Sequence, residues 1–136
     1  MKDLTTNFSV QKLQFIEATI SKVEDKMYHI IIPISKFIFE NNIMDTAINL
    51  TQVALPNDLS NCVGKTVNFP INPNQGYIDG SIYLAERHNP VDISEIKFIS
   101  IEKNNLNVEI SMAFDFEYEG TGLKNETITK KIKIKY

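Results

Sequence analysis

The chain has 136 residues, 23% of them charged and 43% hydrophobic, with a net charge of -3 and a single cysteine. That length suits one domain with its own core, without metals or cross-links. The acidic balance argues against a general nucleic-acid binder, which needs clustered Lys and Arg, and one cysteine excludes an intrachain disulfide or a cysteine-based metal set.

The start of the chain has no apolar run of the secretory type. The longest apolar run, around Ile30 to Ile34, is far too short to span a bilayer. The expectation is one cytoplasmic domain over residues 1–136, without a membrane contact and with Cys62 as a small buried thiol.

Leu13, Ile16, Ile20, Val23 and Met27 have helical spacing, but Ile16, Ala18 and Ile20 also alternate, and Glu24-Asp25-Lys26 leads straight into alternating Tyr28, Ile30, Ile32 and Ile34. A hairpin turning near Asp25 sets Ile20 opposite Ile30 and Ile16 opposite Ile34, so strands are favoured. A helix over residues 9–27 stays open as the alternative. Pro33 cannot donate a ladder hydrogen bond and marks an edge or a bulge. Asn41-Asn42 is a break, and Thr46 to Leu55 reads as a strand. Pro56 to Val63 is a surface connection with Leu59 and Val63 tucked inward, or one or two helical turns ended by Gly64.

Thr66 to Phe69 is a short strand, and Asn72-Pro73-Asn74-Gln75-Gly76 is a dense turn signal. Tyr77 to Ala85 is a strand in which Gly80 marks a bulge or a close approach by another backbone. Glu86 to Asp92 reads as a loop. Ile93 to Glu102 carries Ile99 and Ile101 on one face and Phe98 on the other, which implies a strand covered on both sides. Lys103-Asn104-Asn105 turns into the clearest strand of all: Leu106, Val108, Ile110, Met112, Phe114, Phe116 and Tyr118 occupy every second place. After Gly120-Thr121-Gly122, Ile128, Ile132, Ile134 and Tyr136 alternate with Thr129, Lys131, Lys133 and Lys135. Pairing Phe114 with Ile132 would set Asp115 beside Lys131 and lay an acidic row against a basic one.

Several strands with turn signals between them predict a mainly β, antiparallel domain, a sandwich or partly open barrel with at most a short helix. The alternative is an α+β domain with an N-terminal helix on an antiparallel sheet.

Nucleotide-binding fingerprints, paired histidines and a nucleophile elbow are all missing from the sequence. The best catalytic set is His88 with Glu86 and Asp92 on one loop. The same residues with Asp79 are suitable metal donors, but their spacing does not establish convergence, so neither metal nor cofactor is expected. The acidic row Asp115, Glu117 and Glu119, joined by Glu109, is the main polar feature, suited to a basic partner or to pairing with the lysines of the last arm. Phe114, Phe116 and Tyr118 share a face with aliphatic residues and read as core.

In its size, acidity and strand-rich character the chain resembles the immunity proteins of bacterial toxin systems, including contact-dependent growth inhibition. The segments His88-Asn89-Pro90-Val91-Asp92-Ile93 and Phe114-Asp115-Phe116-Glu117-Tyr118-Glu119-Gly120 look like family signatures. The resemblance implies a non-enzymatic inhibitor that binds and neutralises a cognate protein toxin domain, often a basic nuclease, in the cytoplasm, with no direct nucleic-acid binding of its own. The expected contact residues are Glu86, His88, Asp92, Asp115, Glu117 and Glu119. The alternatives are a small-ligand-binding β domain and an enzyme centred on the loop around His88.

Overall fold

The computed structural model describes residues 1–136. The strands are β1 (Lys2–Asp3), β2 (Ala18–Glu24), β3 (Met27–Pro33), β4 (Phe37–Phe39), β5 (Asn42–Met44), β6 (Ala47–Ala54), β7 (Thr66–Asn68), β8 (Asp79–Leu84), β9 (Arg87–Glu102), β10 (Asn105–Phe114) and β11 (Glu126–Lys135). One short helix, α1 (Leu59–Cys62), and 3-10 turns at Val10–Lys12 and Phe116–Glu119 complete the set. The domain is therefore mainly β. Residues 9–27 form a 3-10 turn and β2, not a helix. Ile20 pairs with Ile30 as the alternation predicts. Further back, Phe15 takes the place opposite Ile34, which leaves Ile16 facing solvent.

Seven strands close on themselves in the order β10-β11-β2-β3-β6-β8-β9, with β9 pairing back onto β10. Barrel closure carries a parity constraint: antiparallel contacts reverse strand direction, so an odd ring needs a parallel joint. Here that joint is β11 on β2, only two residue pairs long, Ile134 with Ala18 and Lys135 with Thr19. Beyond those pairs residues 8–16 fill the seam. Val10 and Leu13 are buried there, and Glu126 holds the segment by accepting from Ser9 Oγ (2.6 Å) and the Val10 N–H (3.0 Å).

The other closing element is β9, whose 16 residues serve two sets of neighbours. Its first half pairs with β8, and its second half lies between β7 and β10. The β8 and β10 ladders meet at Val91, which is opposite both Gly80 and Phe114. A Cβ at position 80 would overlap the Val91 carbonyl oxygen and press on Leu50, so glycine is required for the close backbone approach that its place in the strand predicts.

Ser94 and Ile99 are extra residues in β9, skipped by the register with β10. Each bulge flips the inward parity, so Val91 and Ile93, then Ile96 and Phe98, all point into the core. The reading of β9 as apolar on both faces is thus corrected, and Ile99 is 41% exposed as a bulge residue. Inside the barrel, Ile30, Leu50, Val91 and Phe114 lie in one layer, with Ile32, Ile48 and Ile82 in the next. Side chains fill the interior, as expected for so few strands.

One end is plugged by the small sheet β1-β4-β5 and by phenylalanines. Phe8 lies 5.5 Å from Phe39 and 5.6 Å from Phe116, and Phe116 stacks on Phe114 at 5.6 Å. In the connection after β6, helix α1 buries Cys62 and Leu59 packs on the core, while Val63 is exposed and Gly64 adopts positive φ. Burial pushes the Cys62 thiol above its usual pKa.

Gly80→Ala therefore destabilises the protein by about 2 kcal/mol or more through overpacking at the closing residue. Urea denaturation of the variant reads this as a lowered midpoint with the slope unchanged.

Candidate functional site

The hydrogen-bonding direction of Pro90 sets the geometry of the candidate site. Its carbonyl accepts from the Asp115 N–H at 2.9 Å. The absent N–H of Pro90 points the same way, so β10 cannot continue its ladder along β9 past Phe114. The chain leaves extended geometry at Asp115 (φ -98°, ψ 76°) and winds into the 3-10 turn Phe116–Glu119, ended by Gly120 in the left-handed region (φ 64°). This corrects the strand expected to run to Tyr118. Phe116 still turns inward and is fully buried, whereas Tyr118 swings out to 68% exposure. The core reading holds for Phe114 and Phe116 and fails for Tyr118.

The expected pairing of the last two arms is corrected as well. Phe114 opposes Glu126, and the residue across from Lys131 is Glu109. The turn and the loop to Glu126 take up the residues that the predicted register had assigned to the ladder. Asp115, Glu117 and Glu119 consequently form no row beside the lysines, and the only ion pairs in the molecule, Lys22–Asp25 and Lys36–Asp45, lie elsewhere.

Asp115 instead comes beside Asp92, which pairs with Ala113 on the outer side of β9. Burial and the neighbouring Asp115 carboxylate push Asp92 above the ordinary value of 3.8, against an opposing hydrogen bond from the Asn72 backbone. Glu117 accepts from the Asn125 N–H (3.3 Å), while its own N–H donates to Asn125 Oδ1 (2.9 Å). Those reciprocal bonds fix the loop that carries Tyr118. Glu119 is half-buried at the end of the turn.

The segment Glu86 to Asp92, read as a loop, is mostly strand. Only Ala85 and Glu86 turn, both at positive φ (50° and 67°), and β9 begins at Arg87. The paired positive φ values make a tight hairpin turn of the kind that usually holds Asn-Gly. His88 faces Tyr83 across the β8–β9 pair, ring centroids 5.5 Å apart. Four strand residues, about 13 Å, separate His88 from Asp92, so the proposed acid/base set is not assembled. No three His, Cys, Asp or Glu side chains converge in the structure.

A cleft of about 240 Å³ connects the two parts of the site. Ala85 and Arg87 line one side, Gly120, Thr121 and Leu123 the other, and Asn89 is among the deepest residues. Asn89 is 1% exposed. Its Nδ2 donates to the carbonyls of Ile82 (3.3 Å) and Arg87 (3.0 Å), which fixes the amide orientation and leaves Oδ1 without a partner. The structure thus gathers the β8–β9 turn, the cleft and the acidic 3-10 turn at one end of the barrel. Sequence reasoning missed Tyr118 as an exposed group and the burial of Asn89, because strict alternation placed the first in the core and a loop assignment left the second as a residue bonding its own turn, which its bond to the Arg87 carbonyl in part fulfils.

The sign of the Asp92 effect follows from linkage. A carboxyl whose folded pKa is raised keeps its relative stability below the unfolded value and loses it as pH rises through the folded value. Asp92→Asn, which preserves an acceptor for Asn72, is therefore more stable than the parent at pH 7. The difference closes towards pH 3, as urea midpoints at the two pH values will show.

No protein-family model, curated protein or solved structure matches the chain.

Proposed function

We propose that the protein is a non-enzymatic inhibitor that binds a cognate protein toxin with a basic surface, as an immunity protein does in the cell that makes the toxin. The observation that carries this reading is Tyr118. It stands 68% exposed on a turn anchored from beneath by buried Phe116, with Glu117 and Glu119 beside it and no cation of the chain paired to them.

Several physical features favour a protein partner. A tyrosine held on an anchored turn offers large contact area at little cost in conformational entropy, and aromatic side chains are over-represented among residues that dominate binding energy. Uncompensated carboxylates around it repel one another until a basic surface arrives, and their field speeds the encounter. Asp92 and Asp115 extend the acidic surface along the outer side of the barrel, and the turn at Glu86 lies across the Asn89 cleft. A small-ligand reading finds less support, since Ile and Leu side chains fill the barrel interior.

Co-expression with the product of the adjacent gene tests the proposal, scored by complex formation and rescue of growth. With the partner in hand, Tyr118→Ala weakens the complex by about 2 kcal/mol, some thirtyfold, and leaves the unfolding midpoint unchanged. Glu119→Lys slows association and flattens its salt dependence. Absence of any complex, or a Tyr118→Ala variant that binds like the parent, overturns the assignment.

A further inference from the structure

The parallel seam between β11 and β2 carries a second charged feature, of opposite sign. Lys2, Lys12, Lys130 and Lys131 line a cleft of about 420 Å³ in which there is no carboxylate. None of the four takes part in an ion pair. From Lys131 the outer face of β11 continues through Lys133 and Lys135, both exposed. Alternate residues of a strand lie about 6.6 Å apart, close to the spacing of successive phosphates in an extended single strand. We propose that this cleft and its lysine row bind the phosphodiester backbone of a single-stranded nucleic acid.

The cleft is built rather than incidental. Lys12 Nζ donates to the Asn7 carbonyl at 2.6 Å and Lys2 Nζ to the Lys12 carbonyl at 3.4 Å, contacts that hold the ammonium groups without neutralising them. Lys130 is half-buried, with its Nζ 5.6 Å from the centroid of the Phe15 ring, so part of its ordering entropy is lost before any ligand binds. No nearby carboxylate forms an ion pair with these lysines. Glu109 is shared in the register between Lys97 and Lys131, and Glu126 is occupied by Ser9 and the Val10 N–H.

The net charge of -3 is a poor guide here. Glu109, opposite Lys131, precedes Asp115 by six strand positions, about 20 Å. The Debye length at physiological salt is about 8 Å, so Lys131, Lys133 and Lys135 on β11 are largely screened from Asp115.

Fluorescence anisotropy with a labelled ten-nucleotide oligo-dT tests the proposal over 25 to 200 mM salt. The expected result is salt-dependent binding with a slope of log K against log salt of about -3 to -4, from four to six lysines on single-stranded phosphates. The triple variant Lys12→Gln, Lys130→Gln and Lys131→Gln lowers affinity at least tenfold and reduces the slope by about 2. A control with the same charge change at exposed Lys22, Lys65 and Lys124 retains both. Should Lys130→Gln impair folding, the Lys12 and Lys131 pair serves, with a proportionately smaller loss of slope. Absence of binding at 25 mM salt overturns the proposal, as do equal losses in variant and control. Equal competition by a ten-residue oligoglutamate also overturns it and assigns the cleft to an acidic peptide. The outcome does not depend on the proposed toxin contact at Tyr118.

Discussion

The close approach of β8 to β9 at Gly80 and Val91 is the constraint on which the rest of the structure depends. A barrel closes only if its last strand reaches its first, and here both ladders end on one residue. Val91 is opposite Gly80 on one side and Phe114 on the other. With no side chain at position 80, β8 can lie against the Val91 carbonyl while Leu50 and Phe114 fill the same interior layer. Closure in turn imposes the parallel joint between β11 and β2, because a ring of seven cannot alternate throughout. That joint is short, and the N-terminal segment fills the gap it leaves.

One residue before Val91, Pro90 turns an architectural limit into a surface. Its missing N–H ends the β9–β10 ladder, so the acidic segment that follows is released from the strand and wound into a 3-10 turn. Phe116 satisfies the apolar demand of the barrel end, and the same winding sends Tyr118 outward. The exposed tyrosine and the buried phenylalanine are two outcomes of one backbone event. The reciprocal bonds between Glu117 and Asn125 then hold the turn in the conformation the core selected. A surface made this way is anchored without being part of the sheet.

Residue patterning in the sequence revealed most strands of the barrel, the Ile20–Ile30 pairing of β2 with β3 and a bulge or close backbone approach at Gly80, but not β1, β4 or β5. It failed where the backbone departs from a simple period. Two bulges at Ser94 and Ile99 reverse the parity of β9 twice, and a strict period of two reads that as a strand buried on both faces. The turn at Ala85-Glu86 lacks the Asn-Gly signal that positive φ normally demands, so its sequence reads as part of a loop and hides the pairing of His88 with Tyr83. The alternation through Phe116 and Tyr118 looked uninterrupted because Phe116 is indeed buried, though through a turn. Composition offered no view of the lysine cleft: its members come from residues 2, 12, 130 and 131, and only the seam brings them together.

Charge segregation links these observations. On a sphere of mixed charge, a net value of -3 would describe every face about equally. This barrel instead places Asp115 six strand positions, about 20 Å, from the level of Lys131 on β11, with Lys133 and Lys135 farther still. The strands keep the two apart at no cost in flexibility, because β10 and β11 run the full distance between them and their ladder of ten residue pairs leaves little freedom to bend. The same rigid hairpin that makes the core thus carries Lys131, Lys133 and Lys135 away from Asp115.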